Sequence, residues 1–140
     1  MSKKRAESRA RYYLREQAKK RGWKIGHPAK GGEILEEQEI VDHFNDIGLG
    51  LERPDFLLVE GGMPSVVIEA KNTSNKTQQA IDEAVAYANR INANSPYTIK
   101  FAVGAAGEEN HGFAVEVRYL KGNDWKPLLS RGYEITTIPT

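Results

Sequence analysis

Two short apolar segments separated by a pair of glycines decide the fold of this chain. They are RPDFLLV (residues 53–59) and VVIEAK (66–71), with Gly61-Gly62 between them. Aromatic and β-branched residues favour strands, and a glycine pair between two such runs is typical of a β-hairpin. The sequence therefore predicts paired strands over 55–59 and 65–71.

Three ionisable groups lie at the ends of these otherwise apolar strands, and the pairing register decides whether they meet. With a three-residue loop over Gly61–Met63, Asp55 lies opposite Glu69. Since residues two apart in a strand share a face, Asp55, Glu69 and Lys71 then project together. A two-residue Gly61-Gly62 loop shifts the register by one and moves Asp55 to the other face. A functional site at this hairpin requires the first register.

Together, the three groups have the chemistry of a metal-assisted hydrolase. Facing carboxylates repel each other, and a hard divalent cation relieves that repulsion while keeping positions for water and phosphate oxygens. A lysine beside them would orient or deprotonate a water, or stabilise charge on a phosphate. We therefore expect phosphodiester hydrolysis with Mg²⁺ (or Mn²⁺) as cofactor. For each residue alone the simpler interpretation is a surface ion pair, but their combination after Pro54 favours a site.

Pro54-Asp55 followed by Glu69-Ala70-Lys71 resembles the PD-(D/E)XK nuclease motif. The stretch RPDFLLVEGGMPSVVIEAKN (53–72) is most similar to the nuclease domains of type I restriction enzyme R subunits, and also to related domains fused to DNA methyltransferases. The resemblance implies an α/β, restriction-endonuclease-like fold with a small mixed sheet flanked by helices. It also implies a Mg²⁺-dependent DNA endonuclease of a restriction-modification system.

The resemblance further implies a role for individual residues. Asp55 and Glu69 would hold the metal with the backbone carbonyl of Ala70, and Lys71 would be the catalytic lysine. The family often has a further acid on the first helix, for which Glu7 is the candidate. An acid in a first helical turn also favours the helix dipole, which is the alternative interpretation of Glu7. Weaker candidates for this acid are Glu36 and Glu37.

Several family members carry a Gln-x-x-x-Tyr pair on the helix after the lysine. At that spacing this chain has Glu83 and Tyr87, so that glutamate replaces glutamine. Gln78 or Gln79, one turn earlier, is the alternative. The simpler interpretation of Glu83 and Tyr87 is an ordinary helix flank.

Helical and extended patterns surround the hairpin. Periodicity predicts helices over 5–21, 34–47 and 75–92, and further strands over 97–105 and 112–121. We interpret residues 1–140 as a single nuclease domain, with a 1–22 basic helix and a 54–121 motif-bearing core. We expect it to be a fragment of a longer protein.

Charge is divided unevenly along the chain. Residues 1–30 hold 11 Lys/Arg and 2 acids (+9), whereas residues 31–140 hold 9 Lys/Arg and 17 acids (−8), for a net charge of +1. A basic helix beside an acidic active site predicts contacts with DNA phosphates, for which Arg11, Arg15 and Lys19 are the candidates. A solvated helix face is the alternative.

Composition limits the remaining classes. The 140 residues contain no cysteine, which excludes a disulfide scaffold and a cysteine nucleophile. No apolar run approaches the roughly 20 residues of a membrane span, so we expect a cytoplasmic protein. DNA and further motor, specificity or methyltransferase domains or subunits are the expected partners. The alternative functions are a non-cleaving DNA-binding or subunit-docking domain of the same fold, and a repair or junction nuclease.

Overall fold

A mixed six-stranded sheet with one long helix across it forms the described part of the chain. The computed structural model describes residues 15–16, 19–20, 34–36, 40, 44, 47, 49, 52–71, 74–107, 113–130 and 133–134. The strands of the sheet are β1 (Ile34–Glu36), β2 (Phe56–Glu60), β3 (Met63–Lys71), β4 (Phe101–Gly107), β5 (Phe113–Lys121) and β6 (Asp124–Pro127). The helix is α1 (Thr77–Asn94), which a short 3₁₀ turn (Ser74–Lys76) precedes. A separate two-stranded sheet pairs β7 (Leu129–Ser130) with β8 (Tyr133–Glu134).

The strands lie side by side in the order in which they occur along the chain. Every neighbouring pair is antiparallel except β3 and β4, which are parallel. A parallel connection needs a crossover, and α1 supplies it. The predicted α/β class and small mixed sheet are therefore confirmed. Among the described residues, no helix is long and apolar enough to span a membrane.

The strands of the predicted hairpin are buried on both faces, which explains their uninterrupted apolar sequence. Phe56 and Ile68 belong to a core cluster on one face of the sheet. Leu57 and Val67 point the other way, into a second cluster beneath α1. Asp55, Glu69 and Lys71 have the parity of this second pair, so the strand period directs them toward α1.

A glycine lets α1 lie directly on the sheet. A Cβ at Gly104 of β4 would collide with the backbone of Ile81, so only glycine permits this approach. At its other end the helix is tied to the chain entering β4, because the Asn92 side chain both accepts from the Ile99 N–H (2.6 Å) and donates to the Ile99 carbonyl (3.2 Å). These two anchors fix which flank of α1 overhangs the end of β3.

The hairpin turn differs from the expected one, yet the register at the site is the expected one. The turn has two residues, since Glu60 pairs with Met63 and both glycines have positive φ (59° and 80°), as a type I′ turn requires. The register then shifts at a β-bulge between Leu58 and Val59. Because one bulge compensates for one residue of loop length, Phe56 pairs with Ile68. Continuing that register places Asp55 opposite Glu69.

The predicted helix over 34–47 is wrong in its first turn. Ile34–Glu36 forms β1, which pairs with β2 through contacts such as Leu35 with Leu57. Helical structure begins later, where Ile40 is helical and its carbonyl accepts from the Phe44 N–H at 2.8 Å. An Ile-Leu pair suits either element, and the free edge of β2 decides in favour of a strand.

Candidate active site

The predicted triad meets at one end of the hairpin, beneath α1. Asp55 directly precedes β2, while Glu69 and Lys71 lie within the last three residues of β3. All three line one cavity of about 410 Å³. The described residues around it are Glu52, Arg53, Asp55, Glu69, Lys71, Glu83, Ala86, Tyr87 and Arg90.

Just before β2 begins, the hydrogen bonds between the two strands run from backbone N–H groups to side-chain carboxyl oxygens. The Asp55 N–H donates to Glu69 Oε1 at 3.3 Å, and the Ala70 N–H donates to Asp55 Oδ2 at 2.8 Å. These two backbone-to-side-chain contacts hold the Asp55 and Glu69 carboxyl groups face to face.

Burial makes Glu69 favour its neutral, protonated form. Its side chain is buried, with 6% of the residue exposed. The pKa of Glu69 is raised to about 10, chiefly by burial and then by the neighbouring Asp55 and Glu83 carboxylates, while Lys71 acts in the opposite direction. A carboxyl group whose charge is this unfavourable in the metal-free protein has a strong electrostatic preference for a cation.

The donor set fits a hard divalent cation. Two facing carboxyl groups supply oxygen ligands, as Mg²⁺ and Mn²⁺ prefer. The N–H of Ala70 points toward Asp55, and in a strand the carbonyl of the same residue faces the same neighbour. Among the described residues there is no cluster of three or more His, Cys, Asp or Glu side chains that could hold a metal. The side chains of Asp55 and Glu69 with the Ala70 carbonyl would supply three oxygen ligands and leave positions for water or phosphate, as is usual for Mg²⁺.

Lys71 is held by α1. Its Nζ lies 2.6 Å from Glu83 Oε2, and the lysine side chain is only 15% exposed. Tyr87, one turn after Glu83, lines the same cavity. Burial raises the pKa of Tyr87 to about 12, and the Glu69 and Glu52 carboxylates contribute in the same direction. The phenol therefore stays protonated at neutral pH and is available as a hydrogen-bond donor.

The pair at Gln-x-x-x-Tyr spacing thus lies in the cavity rather than on a plain helix flank. The alternative residues do not line it. Gln78 donates to Asp82 at 2.9 Å and Gln79 donates to Glu83 at 3.4 Å, and both hydrogen bonds are exposed to solvent. Glutamate in place of glutamine gives Lys71 an ionic partner instead of a neutral one.

The other predicted residues fall into two groups. Glu7, Glu37 and Arg11 lie outside the described residues. Glu36 is described, but it pairs with Phe56 in the register of β1 and so faces away from the cavity.

The described part of the first helix makes ion pairs of its own. Residues 15–16 and 19–20 are helical. Arg15 Nε lies 3.5 Å from Glu36 Oε2, and Lys19 Nζ lies 3.9 Å from Glu16 Oε1. Arg15 therefore links this helix to β1.

Sequence reasoning missed three charged residues that line the cavity. Glu52 and Arg53 directly precede the Pro54-Asp55 motif, and Arg90 lies on the same helical face as Glu83 and Tyr87. The i, i+4, i+7 spacing of the three helical residues was a usable signal, because residues at these positions project from one side of a helix.

Comparison with known proteins places the chain in a family. Residues 33–117, more than half of the chain, match the family model described as the type I restriction enzyme R protein N terminus. No curated protein and no solved structure matches the chain significantly. The matched range includes the whole hairpin, α1 and the lining of the cavity. The chain belongs to the family of type I restriction enzyme R protein N-termini.

Proposed function

We propose that this chain is a Mg²⁺-dependent endodeoxyribonuclease domain of a restriction-modification system. The observation that carries the proposal is the meeting of Asp55 and Glu69 on one face of the hairpin, with Lys71 in the same cavity. Membership of a restriction enzyme family supports DNA as the substrate. A DNA-cleaving role in restriction would place the protein in the cytoplasm.

Each residue of the site would have a distinct role in cleavage. Asp55 and Glu69 would hold the cation with the Ala70 carbonyl. When bound, Mg²⁺ (or Mn²⁺) supplies charge neutralisation at the phosphate and a lowered pKa for water. Lys71 would donate a hydrogen bond to a phosphate oxygen or orient the attacking water, since its side chain lines the same cavity as the two carboxyl groups. Glu83 is a positioning residue, because it acts on the reaction through Lys71.

The partners follow from the family. An R protein N-terminus is one part of a larger protein, so we propose that further motor, specificity or methyltransferase domains or subunits deliver the DNA. Arg11, Arg15 and Lys19 remain the proposed phosphate contacts of the first helix. Glu7 remains the proposed further acid.

A second candidate is a domain of the same fold that binds DNA or another subunit without cutting. The Lys71–Glu83 ion pair favours this candidate, because it engages the lysine that cleavage requires. The presence of Asp55, Glu69 and Lys71 in one cavity favours the nuclease.

Plasmid cleavage separates the two candidates. Supercoiled plasmid is incubated with the chain and Mg²⁺ or Mn²⁺, and nicked and linear products are measured for wild type, Asp55→Ala and Lys71→Ala. Matched controls are Asp124→Ala and Lys121→Ala, which change exposed residues at the β5–β6 turn. We expect both site variants to lose roughly 100-fold or more of the rate, and both controls to retain it. Cleavage that survives both site substitutions overturns the proposal, and a wild type that binds DNA but cuts none supports the second candidate.

A further inference from the structure

Arg90 occupies the outer end of the cavity, on the last turns of α1. Its Nη1 donates to Glu52 Oε2 at 3.0 Å, and its Nη2 donates to the Leu49 carbonyl at 3.1 Å. The carbonyl contact fixes the plane of the guanidinium group, whose five N–H donors form a rigid fork. A pre-oriented fork of this kind is suited to a planar or tetrahedral oxyanion.

The partner of Arg90 is a poorly held carboxylate. The Glu52 side chain is 70% exposed and that of Arg90 is 40% exposed. An ion pair this exposed contributes little to stability, so an incoming anion replaces the carboxylate at small cost. Glu52 therefore occupies a position that another anion can take.

The acidic lining of the cavity explains why a phosphate would need a positive group such as Arg90. Four carboxyl side chains line it, those of Glu52, Asp55, Glu69 and Glu83. A phosphodiester chain that reaches Asp55 and Glu69 would meet this negative field. A cation held by Asp55 and Glu69 would offset the field only near those two residues. At the outer end, the cationic Arg90 faces the same volume.

The position of Arg90 along α1 distinguishes its target from that of Lys71. Arg90 follows Glu83, the partner of Lys71, by seven residues, which corresponds to a rise of about 10 Å along a helix. Each nucleotide adds about 3.4 Å of rise along a duplex strand. Arg90 therefore matches a phosphate near the one that is attacked, rather than the attacked phosphate itself.

We propose that Arg90 binds a DNA backbone phosphate flanking the scissile one, and that Glu52 takes the place of this phosphate when no DNA is bound. The inference rests on the proposed function, since it assumes that the cavity receives a phosphodiester chain. It assigns opposite roles to two residues in direct contact. Removing the charge of Arg90 weakens binding, whereas removing the charge of Glu52 strengthens it.

Equilibrium binding tests this directly. Fluorescence anisotropy with a labelled duplex of about 20 base pairs is measured for the full chain in Ca²⁺ at several salt concentrations. Arg90→Gln is expected to weaken binding about 5- to 20-fold and to lower the slope of log K against log salt by about 0.9, the value for one lost phosphate contact. Glu52→Gln is expected to tighten binding about 3-fold or more, and Arg90→Lys to give an intermediate loss.

Controls remove the general effect of charge. Lys126→Gln and Glu60→Gln change exposed residues outside the cavity, and thermal melts verify folding. In the double variant Glu52→Gln/Arg90→Gln the tightening should disappear. Equal effects of Arg90→Gln and Lys126→Gln, or of Glu52→Gln and Glu60→Gln, would overturn the inference. Because plasmid cleavage is measured separately, loss of the nuclease proposal and loss of this inference are distinguishable.

Discussion

At the scale of single residues, the site is organised around one buried acid. Glu69 is 6% exposed and its pKa is raised to about 10, mainly by burial. An acid whose pKa is higher in the folded than in the unfolded state binds a proton on folding. Its contribution to stability therefore falls as pH rises from the unfolded pKa of 4.5 toward 10. This loss of stability arises at a position where a bound cation would reduce it.

Replacing Glu69 by glutamine should therefore stabilise the metal-free protein at alkaline pH. The amide has the same shape and no charge to desolvate, so at pH 8 we expect a gain of at least about 1 kcal/mol, or roughly 3–5 °C in Tm. Near pH 4 the difference from wild type should vanish, because Glu69 is protonated in both states there. Thermal melts in EDTA across this range give the measurement. A gap that is equal at both pH values, or has the opposite sign, contradicts the assignment of the proton to Glu69.

At the scale of elements, the site depends on how α1 crosses the hairpin. Gly104 allows the helix to touch β4, and this contact places Glu83, Tyr87 and Arg90 over the end of β3. The helix thus contributes the groups that position Lys71 and border the cavity.

The contact between α1 and Lys71 can be tested with a graded pair of substitutions. Glu83→Gln keeps a hydrogen-bond acceptor for the lysine, so we expect the rate of plasmid cleavage to stay within about 3-fold of wild type. Glu83→Ala removes the acceptor and leaves the ammonium group free to move, with an expected loss of about 10-fold in kcat and little change in KM.

The matched control is Asp82→Asn, which changes the neighbouring exposed acid of the same helix. If the glutamine and alanine variants behave alike, Glu83 does not position Lys71. A glutamine variant much faster than wild type would instead identify the ion pair as an inhibitory contact.

Elements also show where sequence reasoning succeeds and fails. The hairpin was predictable because its apolar runs and paired glycines are signals that lie within one short stretch of sequence. The length of its turn was not, since the β-bulge between Leu58 and Val59 offsets the shorter loop. The strand Ile34–Glu36 was missed because only the free edge of β2 makes those residues extended. The proximity of Asp55, Glu69 and Lys71 was predictable from the strand period. Glu52 and Arg90 meet only through tertiary contacts across 38 residues of chain, which the sequence does not indicate.

At the scale of the whole molecule, the uneven charge acquires a more specific meaning. The basic segment 1–30 lies almost entirely outside the described residues, and its described Arg15 is paired with Glu36. The cations that border the cavity are Lys71, Arg90 and Arg53, all of which belong to the net-negative part of the chain. The acidic part therefore contains its own positive groups where a phosphodiester would enter.

The family assignment and the cavity lead to the same central claim, that Asp55 and Glu69 form a cation site for nuclease chemistry. Metal binding tests this claim without any need for DNA or partner subunits. Because Glu69 must release its proton, binding should also release close to one proton at pH 8.

The most direct measurement is calorimetric titration of Mn²⁺ into the chain in two buffers of different ionisation enthalpy, for wild type, Asp55→Asn and the control Asp124→Asn. We predict one ion per chain for wild type and for the control, with proton release, and loss of at least about 10-fold in affinity for Asp55→Asn. Equal Mn²⁺ binding by wild type and Asp55→Asn would contradict the claim.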